Sequence, residues 1–237
     1  MKKKIGIAVP IAFLVLLAAL YGLYELTASR TYQVMGELVP RVEIKQKAVA
    51  LTFDDGPTDH VDEVIAALAE AEVKATFYLT GREIEQLPDA AKKLVAAGHE
   101  LGNHSYSHRR MVFKSPSFLR EEIERTDELI RAAGYQGEIT FRPPNGKKLI
   151  ALPWILSQED RTTVMWDVEP DSDPDVAATS DGIVAHVAQQ VQPGSIILLH
   201  PWYESRETSR AAIQGVVETL RSQGYEFKTM SELLELK

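Results

Sequence analysis

From residue 48 onward, short apolar runs of strand length alternate with longer stretches in which apolar residues recur at helical spacing. That alternation predicts parallel strands joined by crossover helices. The runs place strands at 48–53, 75–79, 100–103, 139–141, 163–166, 195–199 and 225–228, with amphipathic helices between them, as over 61–71, 118–133 and 210–222. Gly98, Gly134 and Gly224 stand where helices would end. Seven such strands predict an α/β fold, a distorted (β/α)7 barrel related to the TIM barrel; an open doubly wound sheet is the other arrangement the pattern allows.

The N-terminus breaks this rhythm. Lys2, Lys3 and Lys4 precede Ile5 to Tyr24, 20 residues without a charge. At about 1.5 Å per residue such a helix spans about 30 Å, the hydrocarbon core of a bilayer, whereas cleavable signals carry apolar runs of about 7 to 15 residues. Residues 1–28 are therefore expected to form a signal anchor, a transmembrane helix with its lysines in the cytoplasm. The expected location is the cell membrane, single-pass with the folded domain outside the cytoplasm. Leu26, Thr27 and Ala28 offer signal cleavage and secretion as the alternative. Residues 29–47, polar, aperiodic and holding Gly36 and Pro40, are expected to be a linker, which leaves 48–237 as the domain.

Composition narrows the chemistry. A chain of 237 residues, 45% apolar and 25% charged, suits one domain beyond the anchor. Its 34 acidic and 26 basic residues give a formal charge of -8, so nucleic acid is not an expected partner. With no cysteine, a strong metal site must be built from His, Asp and Glu.

Unusual polar residues fall just after the predicted strands: Asp54 and Asp55, His104 and His108, Arg142, Asp167 and Glu169, and His200. In a barrel of parallel strands those ends open on one face, so these residues should converge. Adjacent Asp54 and Asp55 suit a strand-ending turn before Gly56 and Pro57, or a cation that relieves their repulsion, one carboxylate binding it while the other handles protons. His104 and His108, if on one helical turn, would face the same side. Two imidazoles and a carboxylate leave room for water and substrate, and zinc in such a set lowers the pKa of bound water from about 15.7 to about 7. Attack on a carbonyl then needs a base and an acid, roles that Asp54 and His200 fit, with Asp167, Glu169, Asp171 or Asp173 available to keep His200 protonated. Arg142 would hold the base ionised, or form a surface ion pair. Trp202 and Tyr203 would offer a platform for a sugar ring, or pack in a loop. His99 is expected to be structural, and His60 and His186 lie on helical faces without a signal.

The motifs Thr52-Phe53-Asp54-Asp55-Gly56-Pro57, His104-Ser105-Tyr106-Ser107-His108, Arg142-Pro143-Pro144, the segment from Trp166, and Leu198-Leu199-His200 occur in this order. On them, from residue 48 to about 236, the chain resembles the polysaccharide deacetylases of carbohydrate esterase family 4, the NodB-type domain. The resemblance implies Asp54 as general base, His200 as general acid, and Asp55, His104 and His108 as ligands of zinc, or of cobalt or a similar divalent ion. Candidate substrate contacts are Asn145, Trp166, Leu198, Trp202 and Tyr203, with Leu198 lining the pocket for the acetyl methyl. The implied reaction removes N-acetyl groups from N-acetylglucosamine or N-acetylmuramic acid units of a cell-surface glycan such as peptidoglycan. Two positions depart from the family pattern. Asn145 replaces a usual Tyr or Phe, though its main-chain N–H can still serve an oxyanion. Ser172 and Asp173 stand where Asp-Trp is usual, which leaves the carboxylate partner of His200 unassigned and an aromatic wall missing. A catalytically silent glycan-binding module and a hydrolase of another small amide or ester on the same scaffold are the competing readings. An iron oxygenase site would sit on an all-β scaffold, which the alternating pattern opposes.

Overall fold

A continuous apolar run, unlike an alternating one, marks a parallel strand covered on both faces. Residues 48–54 are such a strand, with every side chain buried. The structure is a computed structural model describing residues 2–237, and the side chains of residue 11 and residues 13–237. Its first half runs α1 (Lys2–Ala28), β1 (Leu38–Val39), β2 (Ala48–Asp54), α2 (Val61–Glu70), β3 (Thr76–Leu79), α3 (Gly81–Gln86), α4 (Pro88–Ala96), β4 (Glu100–Asn103) and α5 (Pro116–Ala132). The second half holds α6 (Ala151–Gln158), β5 (Thr163–Val164), α7 (Ser180–Gln190), β6 (Ile196–Leu199), α8 (Glu207–Ser222), β7 (Glu226–Lys228) and α9 (Met230–Leu234).

All strand pairings are parallel. β2 pairs with β3, β6 and β7, and β3 pairs with β4. Single-residue bridges from Asn103 to Phe141 and from Phe141 to Thr163 join β4 to β5, and Val168 bridges Ile197 of β6. The pairings thus return to β2, enclosing a barrel-like α/β interior. Along β2 the side chains alternate. Val49, Leu51 and Phe53 pack beneath the helices with Val64, Leu68, Leu94, Ile213 and Val217, whereas Ala48 and Ala50 join Tyr78, Val164, Ile196 and Leu198 in a second cluster. Thr52 and Asp54 continue that second register, which carries a carboxylate into the barrel interior.

Most expected strands recur with ends shifted by a residue or two, the usual uncertainty of element ends. The strand expected at 139–141 is reduced to the bridging Phe141. The expected linker also needs correction. Leu38 and Val39 pair with Thr163 and Val164, Val42 donates its N–H to the Gly194 carbonyl, and Val39 and Val42 are buried. A two-residue strand has no period to detect, so the segment reads as irregular until its partner is in place.

The transmembrane expectation falls partly on residues 1–10 and 12, whose side chains lie outside the described residues. Among the described residues, no helix is long and apolar enough to cross a membrane. The end of α1 is tied to the domain: Lys148 donates its N–H to the Thr27 carbonyl and its ammonium to the Ser29 carbonyl. Burial pushes that ammonium down to about 8. His99 is buried, accepts the Ala75 N–H at Nδ1, and is pushed by burial down to about 4, a packed and neutral side chain.

Candidate active site

The end of β2 builds the first part of the site. Asp54 is buried, and Asp55 turns away with φ of +70°. Gly56 follows at φ +65°, and a Cβ there would lie 2.6 Å from the Trp202 ring, so only glycine fits. Arg142, fully buried, donates Nη1 to Asp54 Oδ1 at 2.6 Å and to Thr52 Oγ1 at 2.9 Å. Its other donors reach the carbonyls of Val164 and Met165, and its guanidinium lies 4.0 Å from the Tyr78 ring centroid. The surface ion pair allowed for Arg142 is therefore excluded. Burial, the largest influence on Asp54, pushes its carboxyl up. The charges of Arg142, His104 and His200 outweigh it and hold the group below the usual carboxylate range.

His104 Nδ1 lies 2.7 Å from the Arg142 carbonyl. A carbonyl only accepts, so Nδ1 carries the proton and Nε2 presents its lone pair. Nε2 is 3.5 Å from Asp54 Oδ2 and 3.9 Å from Asp55 Oδ1, and His108 Nε2 is 3.3 Å from that same Asp55 oxygen. One donor atom each from Asp55, His104 and His108 lie within 4.8 Å of one another, a group able to hold a metal ion. Burial pushes His104 down, favouring the neutral imidazole that a ligand must be.

The expected helical turn between these histidines does not form. Residues 104–108 are a loop with Ser105 at φ +65° and His108 at φ +56°. Asn103 Oδ1 accepts the Ser105 N–H, and Ser105 Oγ accepts the His108 N–H. Side-chain bonds to the main chain, in place of helical periodicity, bring the imidazoles together. Asp55, Ser105, His108 and Asn145, all non-glycine residues with left-handed backbones, cluster here. Such strain is characteristic of functional sites.

His200 completes the group from the end of β6. Its Nδ1 lies 3.2 Å from Asp171 Oδ2, which also accepts the His200 N–H at 2.7 Å and the Ser209 hydroxyl at 3.1 Å. Burial, the largest influence, pushes the imidazole down. The hydrogen bond to Asp171 and the charges of Asp54 and Asp55 outweigh it and raise the group above its ordinary value. The other three carboxylates considered for this role are engaged elsewhere. Asp167 accepts from Ser195 and the Ile196 N–H, Glu169 from Trp166 Nε1 and Ser172, and Asp173 from the Asp175 and Val176 N–H groups. Nothing in the sequence separates the four; the short 3-10 turn Pro170–Ser172 does.

One pocket is lined by Asp54, Asp55, His104, His108 and His200, with Asn145, Trp166 and Leu198 in its wall. Asn145 sits at φ +56°, a left-handed conformation that asparagine adopts more readily than most residues. Ser172, which the sequence marks only as a departure from the family pattern, also lines the pocket, as does Arg206, which no sequence signal singles out. Trp202 needs correction: it is fully buried, packs against Gly56 and Phe77, and is no sugar platform. Tyr203 lines an adjoining pocket with Asp55 and His108, its hydroxyl donating to Glu83 at 2.8 Å.

Residues 41–163 match the family described as polysaccharide deacetylase. The chain is 30% identical over 203 residues to a peptidoglycan-N-acetylglucosamine deacetylase of Bacillus cereus, covering 85% of this chain and 95% of that one. It is 32% identical over 198 residues to the peptidoglycan-N-acetylmuramic acid deacetylase PdaC of Bacillus subtilis, covering 83% of this chain and 40% of that one. A solved structure of a carbohydrate esterase family 4 pseudoenzyme from Bacillus anthracis matches with a TM-score of 0.76 at 28% identity, over 86% of this chain and 71% of that one. By its motifs, its parallel α/β fold and these likenesses, the chain belongs to the polysaccharide deacetylases, hydrolases of carbohydrate esterase family 4.

Proposed function

We propose that the chain removes N-acetyl groups from N-acetylglucosamine or N-acetylmuramic acid units of a cell-surface polysaccharide such as peptidoglycan. The observation that carries this reading is the meeting of Asp55, His104 and His108 with Asp54 and His200 in one pocket. The substrates named for the Bacillus cereus and Bacillus subtilis relatives point to the same polymer.

Asp55, His104 and His108 fit a divalent cation such as zinc or cobalt: the donor set is right, and the His104 bond to the Arg142 carbonyl fixes its tautomer. Bound there, the cation would polarise the amide carbonyl and make water a stronger nucleophile. Arg142 occupies Asp54 Oδ1, so Oδ2 is the oxygen free to take the proton from the attacking water. Asp171 keeps His200 protonated through Nδ1, leaving the Nε2 proton for the departing nitrogen. Leu198 contributes an apolar surface for the acetyl methyl. The purified chain, supplied with zinc or cobalt, is expected to release acetate from acetylated glycan; no release from any glycan or peptidoglycan fragment would sink the proposal. Asp171→Asn should move the basic limb of the kcat profile to lower pH, because a neutral amide no longer favours the imidazolium. At pH 8 we expect a roughly tenfold loss, smaller at pH 6. A profile unchanged in shape would remove Asp171 from this role.

The likeness to a pseudoenzyme and the departures at Asn145 and Ser172 support a second reading, a glycan-binding module without turnover. Tight glycan association with no acetate released by the metal-loaded chain would favour it.

The same proposal places the domain outside the cytoplasm on a single-pass anchor. Ile11, Phe13, Leu14, Val15, Leu16 and Leu20 of α1 are exposed apolar side chains. A chain retaining Met1 should stay in the membrane pellet after alkaline carbonate extraction; recovery in the soluble fraction with Met1 intact would overturn the anchor.

A further inference from the structure

The two candidate sugar units differ at one place. N-acetylmuramic acid carries a lactyl ether on the ring carbon next to the one bearing the acetamido group, and N-acetylglucosamine carries a hydroxyl there. A pocket that holds the acetamido group beside Asp55, His104 and His108 must therefore also receive whatever the neighbouring carbon bears. The charge of the surrounding wall then discriminates between the two units.

That wall contains Arg206, among the described residues the only arginine or lysine lining the pocket, supplied by the short 3-10 turn Glu204–Arg206 that follows His200. Arg206 Nη1 donates to the main-chain carbonyl of Asp171 at 3.0 Å, so the guanidinium is oriented by the same turn that supports His200. Among the described residues, no carboxylate pairs with it. The pocket's acidic groups are engaged elsewhere: Asp54 with Arg142, Asp171 with His200 and Ser209, Glu169 with Trp166 and Ser172, and Asp55 with the histidines. The position where the family has Trp holds Asp173, whose carboxylate is turned to the Asp175 and Val176 N–H groups. An aromatic wall stacks on either sugar. An oriented guanidinium with unused donors in a half-buried pocket instead matches a carboxylate through parallel charge-assisted bonds.

We infer that Arg206 is a specificity-determining residue that selects, as the reacting unit, an N-acetylmuramic acid whose lactyl carboxylate is free. This rests on the deacetylation reading and narrows it to one of two sugars. The test measures acetate release by the full chain, Arg206→Gln and Arg206→Lys on three probes. These are peptide-free strands of alternating N-acetylglucosamine and N-acetylmuramic acid, the same strands with their carboxylates converted to amides, and N-acetylglucosamine oligomers. Mass spectrometry of the products identifies the unit that lost its acetyl group.

The wild-type chain should deacetylate the muramic unit and prefer the free-carboxylate strand over the amide by about tenfold or more in kcat/KM. Arg206→Gln should erase most of that preference, chiefly through KM, and Arg206→Lys should restore part of it. Preferential deacetylation of glucosamine units would overturn the assignment. So would equal fold losses for Arg206→Gln on the free and amidated strands, which would mean that Arg206 acts only through Asp171 and His200. Should no strand yield acetate, the deacetylation reading fails by itself. Calorimetric binding of the same strands then still decides on Arg206: equal affinity for free and amidated carboxylates overturns it, and a preference for the free form lost in Arg206→Gln upholds it.

Discussion

Asp54→Asn should lower kcat for acetate release by about 10²- to 10⁴-fold while the protein keeps its divalent ion. The amide retains an oxygen for the Arg142 bond at Oδ1, so local geometry has a reason to persist. What disappears is the basic oxygen facing His104, 3.5 Å from its Nε2. Asp55, His104 and His108 are unchanged, so metal content measured by atomic emission should match wild type. Near-normal turnover would show that another group takes the proton. Joint loss of metal and activity would assign Asp54 to the coordination sphere instead.

Arg142→Leu is expected to be the most destabilising substitution at the site, costing about 3 to 5 kcal/mol, with kcat reduced as well. Four acceptors converge on this guanidinium: Asp54, Thr52 and the carbonyls of Val164 and Met165. Removing it leaves the Asp54 carboxylate buried, with burial pushing its carboxyl up and the largest opposing charge gone. The urea midpoint should fall accordingly. The double variant Asp54→Leu with Arg142→Leu should recover part of the lost stability while remaining inactive, because a buried ion pair exchanged for apolar side chains often costs little. A single variant as stable as wild type would mean that the pair is not what organises the strand ends. This expectation exceeds that for Asp171→Asn, where the substituted amide can still accept from the His200 and Ser209 donors.

The strands of the domain were legible because burial on both faces leaves long apolar runs. β2, β3 and β4 appear almost where their sequences place them. β1 was not legible: two residues carry no period, and only pairing with Thr163 and Val164 makes them a strand. The residues of the candidate metal group were legible from position, since each follows a strand of a parallel barrel. How His104 and His108 meet was not legible. Four-residue spacing suggested a helical turn, whereas two left-handed residues and the side chains of Asn103 and Ser105 close a loop.

Trp202 shows the converse. Its place after His200 suggested contact with a sugar, yet Gly56 offers its ring a surface without a side chain, and the indole fills it. That fit depends on a glycine far away in the chain. The partner of His200 was equally hidden, because four acidic residues of similar spacing follow the fifth strand and the turn at Pro170 aims one of them.

The layered α/β pattern, the absence of thiolate chemistry and the identities of the residues gathered at the strand ends are all readable from the chain before it folds. These follow from residue type and local periodicity, which a linear reading preserves. Which carboxylate serves which imidazole, the burial of Arg142 against Asp54 and the place of Arg206 in the pocket wall emerge only from the folded arrangement. Such choices are set by directions and distances of a few ångströms between segments remote in the chain, and no local spacing encodes them.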